Sequence, residues 1–378
     1  MIIPRSLTAV ITQKLTSSTK GVVIYGARQV GKTTLANNLI GTLNLKTLTI
    51  NGDQSRFLDV LSSRDLAKIK SLVQGYELLF IDEAQRIPEI GLALKIILDN
   101  MPELKVLVTG SSSLDLASKI SEPLTGRVWT YHLYPISFLE LSGSQNRPKL
   151  DHALEERLMF GSYPEIFSLE GESQKREYLQ NLSDAYLYKD LLEFGEIKNS
   201  SKIRDLLKLL AFQVGSQVSL SELGTSLGIS KDTVSRYVDL LEKSYVIFRL
   251  KGFSRNLRKE ITKMDKVYFY DLGVRNILID NLNPLRGRDD LGALWENFLI
   301  VERMKLLAYN QDFANTYFWR TYTGAELDYV EDKGGKLYGF EFKVRNKVKR
   351  APKSWKETYQ DSEYSCINRD NYLDFILK

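Results

Sequence analysis

One stretch near the start of the chain, GVVIYGARQVGKTTLANNLI at residues 21–40, limits the possible folds more than any other. Its apolar residues 22–25 favour a β-strand that is buried on both faces, as in a parallel sheet. Residues 26–33 then match the pattern G-x-x-x-x-G-K-[ST] at every defined position. The two glycines let the backbone turn its N–H groups inward, and the following helix points its positive N-terminus at the same place. The stretch therefore predicts a phosphate-binding loop between the first strand and a helix of an α/β sheet.

The side chains of this loop predict ATP and Mg²⁺ as cofactors. Lys32 can reach the β- and γ-phosphates, and the hydroxyl of Thr33 can ligate Mg²⁺. Lys32 is therefore a candidate for catalysis as well as for binding. The nucleotide contacts are assigned to the whole loop and the first turn of the helix: Gly26, Ala27, Arg28, Gln29, Val30, Gly31, Lys32, Thr33 and Thr34.

A second apolar run, at residues 78–81, ends in two acids, Asp82 and Glu83. The carboxyl end of a buried strand is where α/β sheets place their chemistry. Asp82 would hold the Mg²⁺ ion as part of the nucleotide site, and Glu83 would orient and deprotonate the attacking water. Solvated acids at a strand end are common by themselves, but the loop upstream favours the catalytic interpretation.

Three further side chains are candidates for the same site. Thr109 and Ser111 follow the next predicted strand, where a hydroxyl could sense the γ-phosphate and hold the water, although serine also suits turns. Arg127 could supply positive charge to its own nucleotide or to a neighbour's, or it could pair with a surface acid. The tetrapeptide TKMD at residues 262–265 mimics a guanine-reading motif, but it lies too far downstream to indicate a GTPase.

The alternation of strands and helices predicts the α/β class, with a P-loop NTPase parallel sheet and flanking helices over residues 1–150. Within this domain, residues 55–73 are expected to be helical. A helical connector is expected at 151–200 and a winged helix-turn-helix domain at 201–280. The region 285–378 is expected to form a small α/β domain like that of restriction endonucleases.

The helix-turn-helix prediction depends on a tight turn at residues 228–230, with Ser230 as the N-cap of the next helix. Four side chains near the start of that helix would face a DNA major groove: Lys231, Thr233, Ser235 and Arg236. Basic residues dominate the predicted wing that follows: Lys251, Arg255, Arg258, Lys259, Lys263 and Lys266. Winged helices in ATPases also serve as lids or packing modules, so direct contact with nucleic acid is one of two alternatives.

The last hundred residues predict a β-hairpin closed by the Gly-Gly pair at 334–335. This turn would place Asp328 opposite Glu341, and facing carboxylates repel each other unless a cation lies between them. Strand alternation puts Lys343 on the same non-core face, and Glu296 could approach from a helix. These oxygen ligands suit Mg²⁺ or Mn²⁺ and would form a second metal site of Glu296, Asp328 and Glu341. The alternative is an ordinary solvated hairpin face.

Composition excludes several classes of protein. The 378 residues carry a formal net charge of +5, which permits a nucleic-acid partner without demanding one. One cysteine and two histidines exclude an internal disulfide and argue against structural zinc. No apolar run approaches the ~18 residues of a membrane span, and the N-terminus lacks the core of a signal peptide. A cytoplasmic protein without membrane contact is therefore expected.

These segments together resemble a family of prokaryotic AAA+-type P-loop ATP-binding proteins with a C-terminal domain of unknown function. Besides the winged helix, the resemblance rests on the motifs GARQVGKTT, LLFIDEAQ, VTGSSS, LTGRV, GSYPE, KVYFYDLGV and WEN…WRTYTGAELDYV…FEFK. The last block is similar to PD-(D/E)xK nucleases, with Asp328, Glu341 and Lys343 at the motif positions and Leu327 where the proline would stand. The resemblance implies ATP binding and hydrolysis, and it implies no particular biological process.

Three functions are compatible with these observations. The first is an ATP-hydrolysing switch that acts with nucleic acid. The second is a regulatory or scaffold protein whose inactive nuclease-like domain binds another protein, and the third is a metal-dependent nuclease gated by ATP. Because AAA+ relatives often form rings, a homo-oligomer is a further expectation that no single residue demonstrates.

Overall fold

A computed structural model describes residues 3–110, 124–143, 147–184, 200–254, 264–345 and 348–378. The chain divides into two compact units, Met1–Ile136 with Lys243–Tyr245 and Ser137–Glu242 with Val246–Lys378. The first unit therefore ends before the domain boundary predicted at residue 150. None of the helices in these ranges is both long enough and apolar enough to cross a membrane.

The first unit contains a five-stranded parallel sheet with the strand order β2-β3-β4-β1-β5. Its strands are β1 (Gly21–Tyr25), β2 (Thr47–Asn51), β3 (Leu78–Asp82), β4 (Lys105–Gly110) and β5 (Val128–His132). Every residue of β1 and β3 is buried, which explains why the sequences of both strands are nearly continuous apolar runs. The predicted α/β class is confirmed, and the order of the strands places the ends of β3, β4 and β1 side by side.

Five α-helices of the described residues belong to this unit: α1 (Leu7–Ser17), α2 (Lys32–Leu43), α3 (Leu58–Ser62), α4 (Leu66–Val73) and α5 (Ile90–Asn100). The helix expected over 55–73 is a 3₁₀ turn, Ser55–Phe57, followed by α3 and α4. Arg64 interrupts it with a φ of 55°. Asp65 then caps α4, because its side chain accepts the N–H groups of Ala67 at 2.8 Å and Lys68 at 3.3 Å.

The second unit combines helices with a six-stranded mixed sheet of order β11-β10-β9-β8-β6-β7. Its strands are β6 (Ile247–Gly252), β7 (Lys266–Phe269), β8 (Asn315–Arg320), β9 (Glu326–Lys333), β10 (Lys336–Phe342) and β11 (Glu363–Ile367). Within the described residues, six α-helices precede the sheet in the chain: α6 (Phe138–Ser142), α7 (Arg147–Phe160), α8 (Glu172–Leu182), α9 (Ser200–Phe212), α10 (Leu220–Leu227) and α11 (Lys231–Lys243). Four more are α12 (Leu272–Leu278), α13 (Leu291–Tyr309), α14 (Lys353–Thr358) and α15 (Tyr372–Leu377).

The helices α10 and α11 lie in the segment where the sequence predicts a helix-turn-helix, and the motif stays a prediction. Gly228 ends α10 with a φ of +65°, which a residue with a side chain rarely adopts. The N–H of Thr233 donates to Oγ of Ser230 at 3.1 Å, so Ser230 is the N-cap of α11 as predicted. The antiparallel pair β6 and β7 follows, in the position of a wing.

A single sheet joins the regions that the sequence divides between domains at 201–280 and 285–378. Strand β6 pairs in parallel with β8, with Lys251 opposite Tyr317 and Gly252 opposite Phe318. The N–H of Phe253 extends this pairing by donating to the carbonyl oxygen of Phe318 at 2.6 Å. Periodicity along the chain cannot reveal a pairing between strands so far apart in sequence.

The hairpin of β9 and β10 has the register that its Gly-Gly turn predicts. Lys336 pairs with Lys333, and Phe340 pairs with Tyr329. The same register, continued by one residue, brings positions 328 and 341 together. A two-residue turn therefore determined the pairing of the whole hairpin.

The face of the hairpin that carries these two acids was expected to lie outside the core, but part of it is buried. Val330 and Leu337 on this face are buried in an apolar cluster with Trp319 and Trp355. Gly339 makes room for the cluster, since a Cβ atom there would lie 3.2 Å from the ring of Trp355. Both faces of the hairpin are covered near this point, so the acids lie at the edge of a core.

Candidate functional site

The phosphate-binding loop connects β1 to α2 and has the tight backbone that its glycines predict. Gly31 has a φ of +95°, in the left-handed region, immediately before the helix. A Cβ atom at Gly26 would lie 2.3 Å from the carbonyl oxygen of Leu133, so a larger residue does not fit there. Gln29 also has a positive φ, of 58°. The loop is therefore held in one shape, as a cradle for phosphate oxygens requires.

The side chain of Lys32 lies inside this loop. The residue is 4% exposed, and its Nζ donates to the carbonyl oxygens of Gly26 at 3.1 Å and Ala27 at 2.9 Å. These bonds satisfy a buried ammonium group with the backbone of the loop. A phosphate in the loop would offer the same atom stronger, negatively charged acceptors.

The hydroxyl of Thr33 contacts the first acid of β3. Its Oγ1 lies 2.9 Å from Oδ2 and 3.1 Å from Oδ1 of Asp82, which is 8% exposed. Thr109, at the end of β4, also donates a hydrogen bond to Asp82. A hydroxyl and a carboxylate are oxygen ligands that Mg²⁺ takes beside a nucleotide, so these residues fit a magnesium ion.

Glu83 lies where the chain turns away from β3. Its φ of 52° and ψ of 45° are left-handed, and its N–H donates to Oγ1 of Thr109 at 3.3 Å. Gln85 donates a hydrogen bond to its carboxylate. Gly52 permits this turn, because a Cβ atom there would lie 2.4 Å from the carbonyl oxygen of Glu83. Thr109 therefore hydrogen-bonds to both residues, to the carboxylate of Asp82 and to the backbone N–H of Glu83.

Arg5 is a contributor to this loop that the sequence did not indicate. Its Nη1 donates to the carbonyl oxygen of Val30 at 2.7 Å, and its Nη2 donates to that of Tyr134 at 2.5 Å. The guanidinium group thus ties the phosphate-binding loop to the segment that follows β5. Because its partners lie 25 and 129 positions away, no local motif marks Arg5.

Two of the predicted residues are not placed in this site. Ser111 lies outside the described residues. Arg127 lies at the amino end of β5, where its carbonyl oxygen accepts the N–H of Gly21 at the start of β1, whereas the loop follows the other end of β1. Its guanidinium forms a two-point ion pair with Asp99, at 2.6 and 3.1 Å. Arg127 is therefore remote from the loop of its own chain, and a role at a neighbour's nucleotide stays a prediction.

In the second unit, the structure brings together the acids predicted for a second metal site. Burial and the negative charges of Glu296 and Glu341 raise the pKa of Asp328 to about 7. The shift is limited by the N–H of Phe342, which donates to Oδ2 of Asp328 at 2.7 Å. A raised pKa of this origin indicates that Glu296 and Glu341 lie within electrostatic range of Asp328.

Lysines, however, occupy the oxygens of this acidic cluster. The Nζ atoms of Lys343 and Lys349 lie 2.7 and 2.6 Å from Oε1 of Glu341. Nζ of Lys266, which the sequence analysis counted among the basic residues of a wing, lies 3.1 Å from Oε1 of Glu296. In the described ranges no group of three or more His, Cys, Asp or Glu residues is arranged to hold a metal ion. The predicted ligands converge, but they do not form the metal site that we expected.

The chain has relatives that match most of its length. Rv2008c, an uncharacterized protein of Mycobacterium tuberculosis, is 32% identical over 326 residues, which cover 85% of this chain and 70% of the relative. The chain belongs to the same family as Rv2008c. The uncharacterized protein MJ1544 of Methanocaldococcus jannaschii is 25% identical over 369 residues, covering 92% of this chain and 80% of that protein.

Three domain families match successive parts of this member of the Rv2008c family. Residues 18–142 match an AAA domain, residues 151–285 a domain of unknown function, DUF8612, and residues 291–372 another domain of unknown function, DUF4143. The first match contains the loop, both acids of β3 and Thr109. The first unit therefore carries an AAA-type P-loop domain, as the sequence motifs predicted.

The fold also resembles a solved structure, the Walker-type ATPase PABY2304 of Pyrococcus abyssi. The TM-score is 0.50, with 16% sequence identity, over 73% of this chain and 96% of that chain. At this identity the similarity concerns the fold alone. It agrees with the parallel sheet and P-loop of the first unit and adds no assignment for the acidic cluster.

Proposed function

We propose that this protein binds ATP with Mg²⁺, hydrolyses it and acts as a nucleotide-driven switch. The observation that carries the proposal is the convergence of Lys32, Thr33, Asp82 and Thr109 around the carboxyl ends of β1, β3 and β4. One ammonium, two hydroxyls and one carboxylate form the set of groups that a nucleoside triphosphate and its metal require. The match to an AAA domain over the same residues supports the proposal that the protein binds ATP.

Each residue of this site in the first unit would have a different role in ATP hydrolysis. Lys32 would exchange its two carbonyl acceptors for oxygens of the β- and γ-phosphates. Thr33 and Asp82 would hold Mg²⁺, which neutralises phosphate charge when it is bound. Glu83 would accept the proton of the attacking water. Thr109, hydrogen-bonded to the N–H of Glu83, would keep that carboxylate at the end of β3.

Replacing Lys32 by alanine tests the nucleotide site directly. We expect ATP affinity to fall roughly 10- to 100-fold, because a charge-assisted contact to phosphate is worth about 1.5–3 kcal/mol. Calorimetry with ATP and Mg²⁺ measures the change. Lys95→Ala, an exposed lysine on α5, is the matched control and should bind like the unchanged protein. Equal affinities for all three proteins, or no heat with any, would reject ATP as the ligand.

We further propose that the helix-turn-helix contacts nucleic acid. Lys231 and Arg236 are exposed on α11, whereas Val234, Tyr237 and Val238 of the same helix are buried. The basic side chains therefore lie on the outer face of the helix, which a phosphate backbone or a groove could approach.

The double variant Lys231→Ala/Arg236→Ala tests this contact by fluorescence anisotropy with a short DNA duplex. If both side chains contact phosphates, the slope of log affinity against log salt should become shallower by about 2, and affinity should fall roughly tenfold or more. Lys208→Ala, an exposed lysine on α9, is the control for loss of general positive charge. A double variant that binds with the same slope as this control would leave α11 as a packing or protein-binding element.

A further inference from the structure

The acidic cluster of the second unit contains a buried cation, Lys266. Its Nζ lies 2.7 Å from Oε1 of Glu326 and 3.1 Å from Oε1 of Glu296. The side chain of Lys266 is 5% exposed, so both ion pairs form away from bulk water. Carboxylates at hydrogen-bonding distance compensate the cost of burying this ammonium group. Lys266 and its two acids are therefore mutually dependent.

One carboxylate oxygen of each predicted metal ligand is already bonded. Oε1 of Glu296 accepts the hydroxyl of Tyr268 at 2.6 Å as well as the ammonium of Lys266. Oδ2 of Asp328 accepts a backbone N–H, and Oε1 of Glu341 accepts two lysines. A metal ion coordinated by these three oxygens would have to replace several of these bonds.

The charges of the cluster also balance without a metal. Its ionised carboxylates belong to Glu296, Glu326 and Glu341, and Asp328 adds part of a negative charge near pH 7 because its pKa is raised to about 7. Its four cations are Lys266, Lys343, Lys349 and Arg320. The last of these is the most distant, with Nε of Arg320 3.9 Å from Oε2 of Glu326. A divalent ion would add two positive charges to a cluster that carries no excess of negative charge.

We infer that Lys266 takes the place of a divalent cation, so that this PD-(D/E)xK-like cluster is held together by a lysine. The inference departs from the sequence-based expectation of Mg²⁺ or Mn²⁺ at Glu296, Asp328 and Glu341. Lys266 and Tyr268 come from β7, within the residues that match DUF8612, whereas the acids come from the residues that match DUF4143. The lysine therefore connects two regions that separate domain families describe, and this conclusion does not depend on the proposed ATP site.

Two measurements on the full chain without nucleotide test this inference. The first is a titration with Mn²⁺ followed by electron paramagnetic resonance, on the unchanged protein and on Asp328→Asn. The second is the melting temperature of Lys266→Met, with and without millimolar Mn²⁺. Lys333→Met is the matched control, because Nζ of Lys333 also lies between two carboxylates, 2.6 Å from Asp312 and 3.4 Å from Glu331, outside the cluster.

We expect the unchanged protein to have no Mn²⁺ site that depends on Asp328. Its titration with Mn²⁺ should therefore match that of Asp328→Asn. Lys266→Met should melt about 5–10 °C lower, because a broken buried ion pair leaves uncompensated charge, and Mn²⁺ should restore much of the loss. Mn²⁺ should not rescue Lys333→Met. The inference is overturned if the unchanged protein has a saturable Mn²⁺ site that depends on Asp328, or if Mn²⁺ leaves a folded Lys266→Met unaffected. Should Lys266→Met fail to fold, the titration of the unchanged protein decides alone.

Discussion

Replacing Glu83 by glutamine should lower ATP hydrolysis by roughly 100- to 10,000-fold and leave ATP binding unchanged, because a general base contributes a factor of this size. Glutamine keeps the length of the side chain and can keep the left-handed backbone, but it cannot accept the proton of the attacking water. Its carbonyl oxygen can still accept the hydrogen bond from Gln85. Phosphate release measures the rate, and calorimetry with ATP measures the binding.

Glu89→Gln provides a matched control for this prediction. Glu89 also has a φ of 52° and also stands immediately before a helix, but its carboxylate pairs with the exposed Arg64. We expect this variant to hydrolyse ATP at the unchanged rate. If Glu83→Gln did so as well, Glu83 would have no part in the chemistry and another base would have to be sought.

Replacing Gly161 by alanine should destabilise the second unit by about 3–5 kcal/mol, the range of the most damaging single substitutions. Gly161 has a φ of +73°, and a Cβ atom there would lie 2.0 Å from Oδ1 of Asp271. Asp271 cannot move aside cheaply. Its buried carboxylate caps α12 by accepting the N–H of Val274 at 3.1 Å and also accepts the N–H of Ser162 at 2.6 Å. The substitution would break this cap and leave its donors unpaired.

Gly171→Ala separates this clash from the cost of the backbone alone. Gly171 has a φ of +82°, but a Cβ atom there would meet nothing within 4 Å, so we expect a loss of only about 1 kcal/mol. Urea denaturation followed by tryptophan fluorescence suits the comparison, since Trp295, Trp319 and Trp355 all lie in the second unit. Similar losses for the two variants would show that the contact with Asp271 adds nothing.

The phosphate-binding loop of the proposed nucleotide site could be predicted because its geometry is local. Glycines at the ends of the loop determine the backbone, and apolar runs followed by Asp82 or Thr109 mark the ends of neighbouring strands. The structure places these residues together, at the hydrogen-bonding distances that the prediction needs. Arg5 could not be predicted, because its contact with Tyr134 depends on the position of a segment more than a hundred residues away in the chain.

The surroundings of the acidic cluster could not be predicted, because they depend on contacts between residues far apart in the chain. The Gly-Gly turn predicted the hairpin register, but strand alternation could not show that Trp355 packs against the face that carries Asp328. Lys266 was grouped with the basic residues of the predicted wing because it follows other lysines and arginines in the sequence. Its burial results from pairing with acids on a helix and a strand later in the chain, which composition does not encode.

The pairing of β6 with β8 bears on how the C-terminal region can be isolated. A fragment that begins at residue 285 would contain the whole DUF4143 match, yet it would lack β6 and β7. Its β8 would then have unpaired backbone groups along one edge, and such an edge can pair with a second copy of the fragment. Glu296 and Glu326 would also lose the ammonium that neutralises them. The smallest piece of this region that can fold alone thus extends upstream of the segment that its family defines.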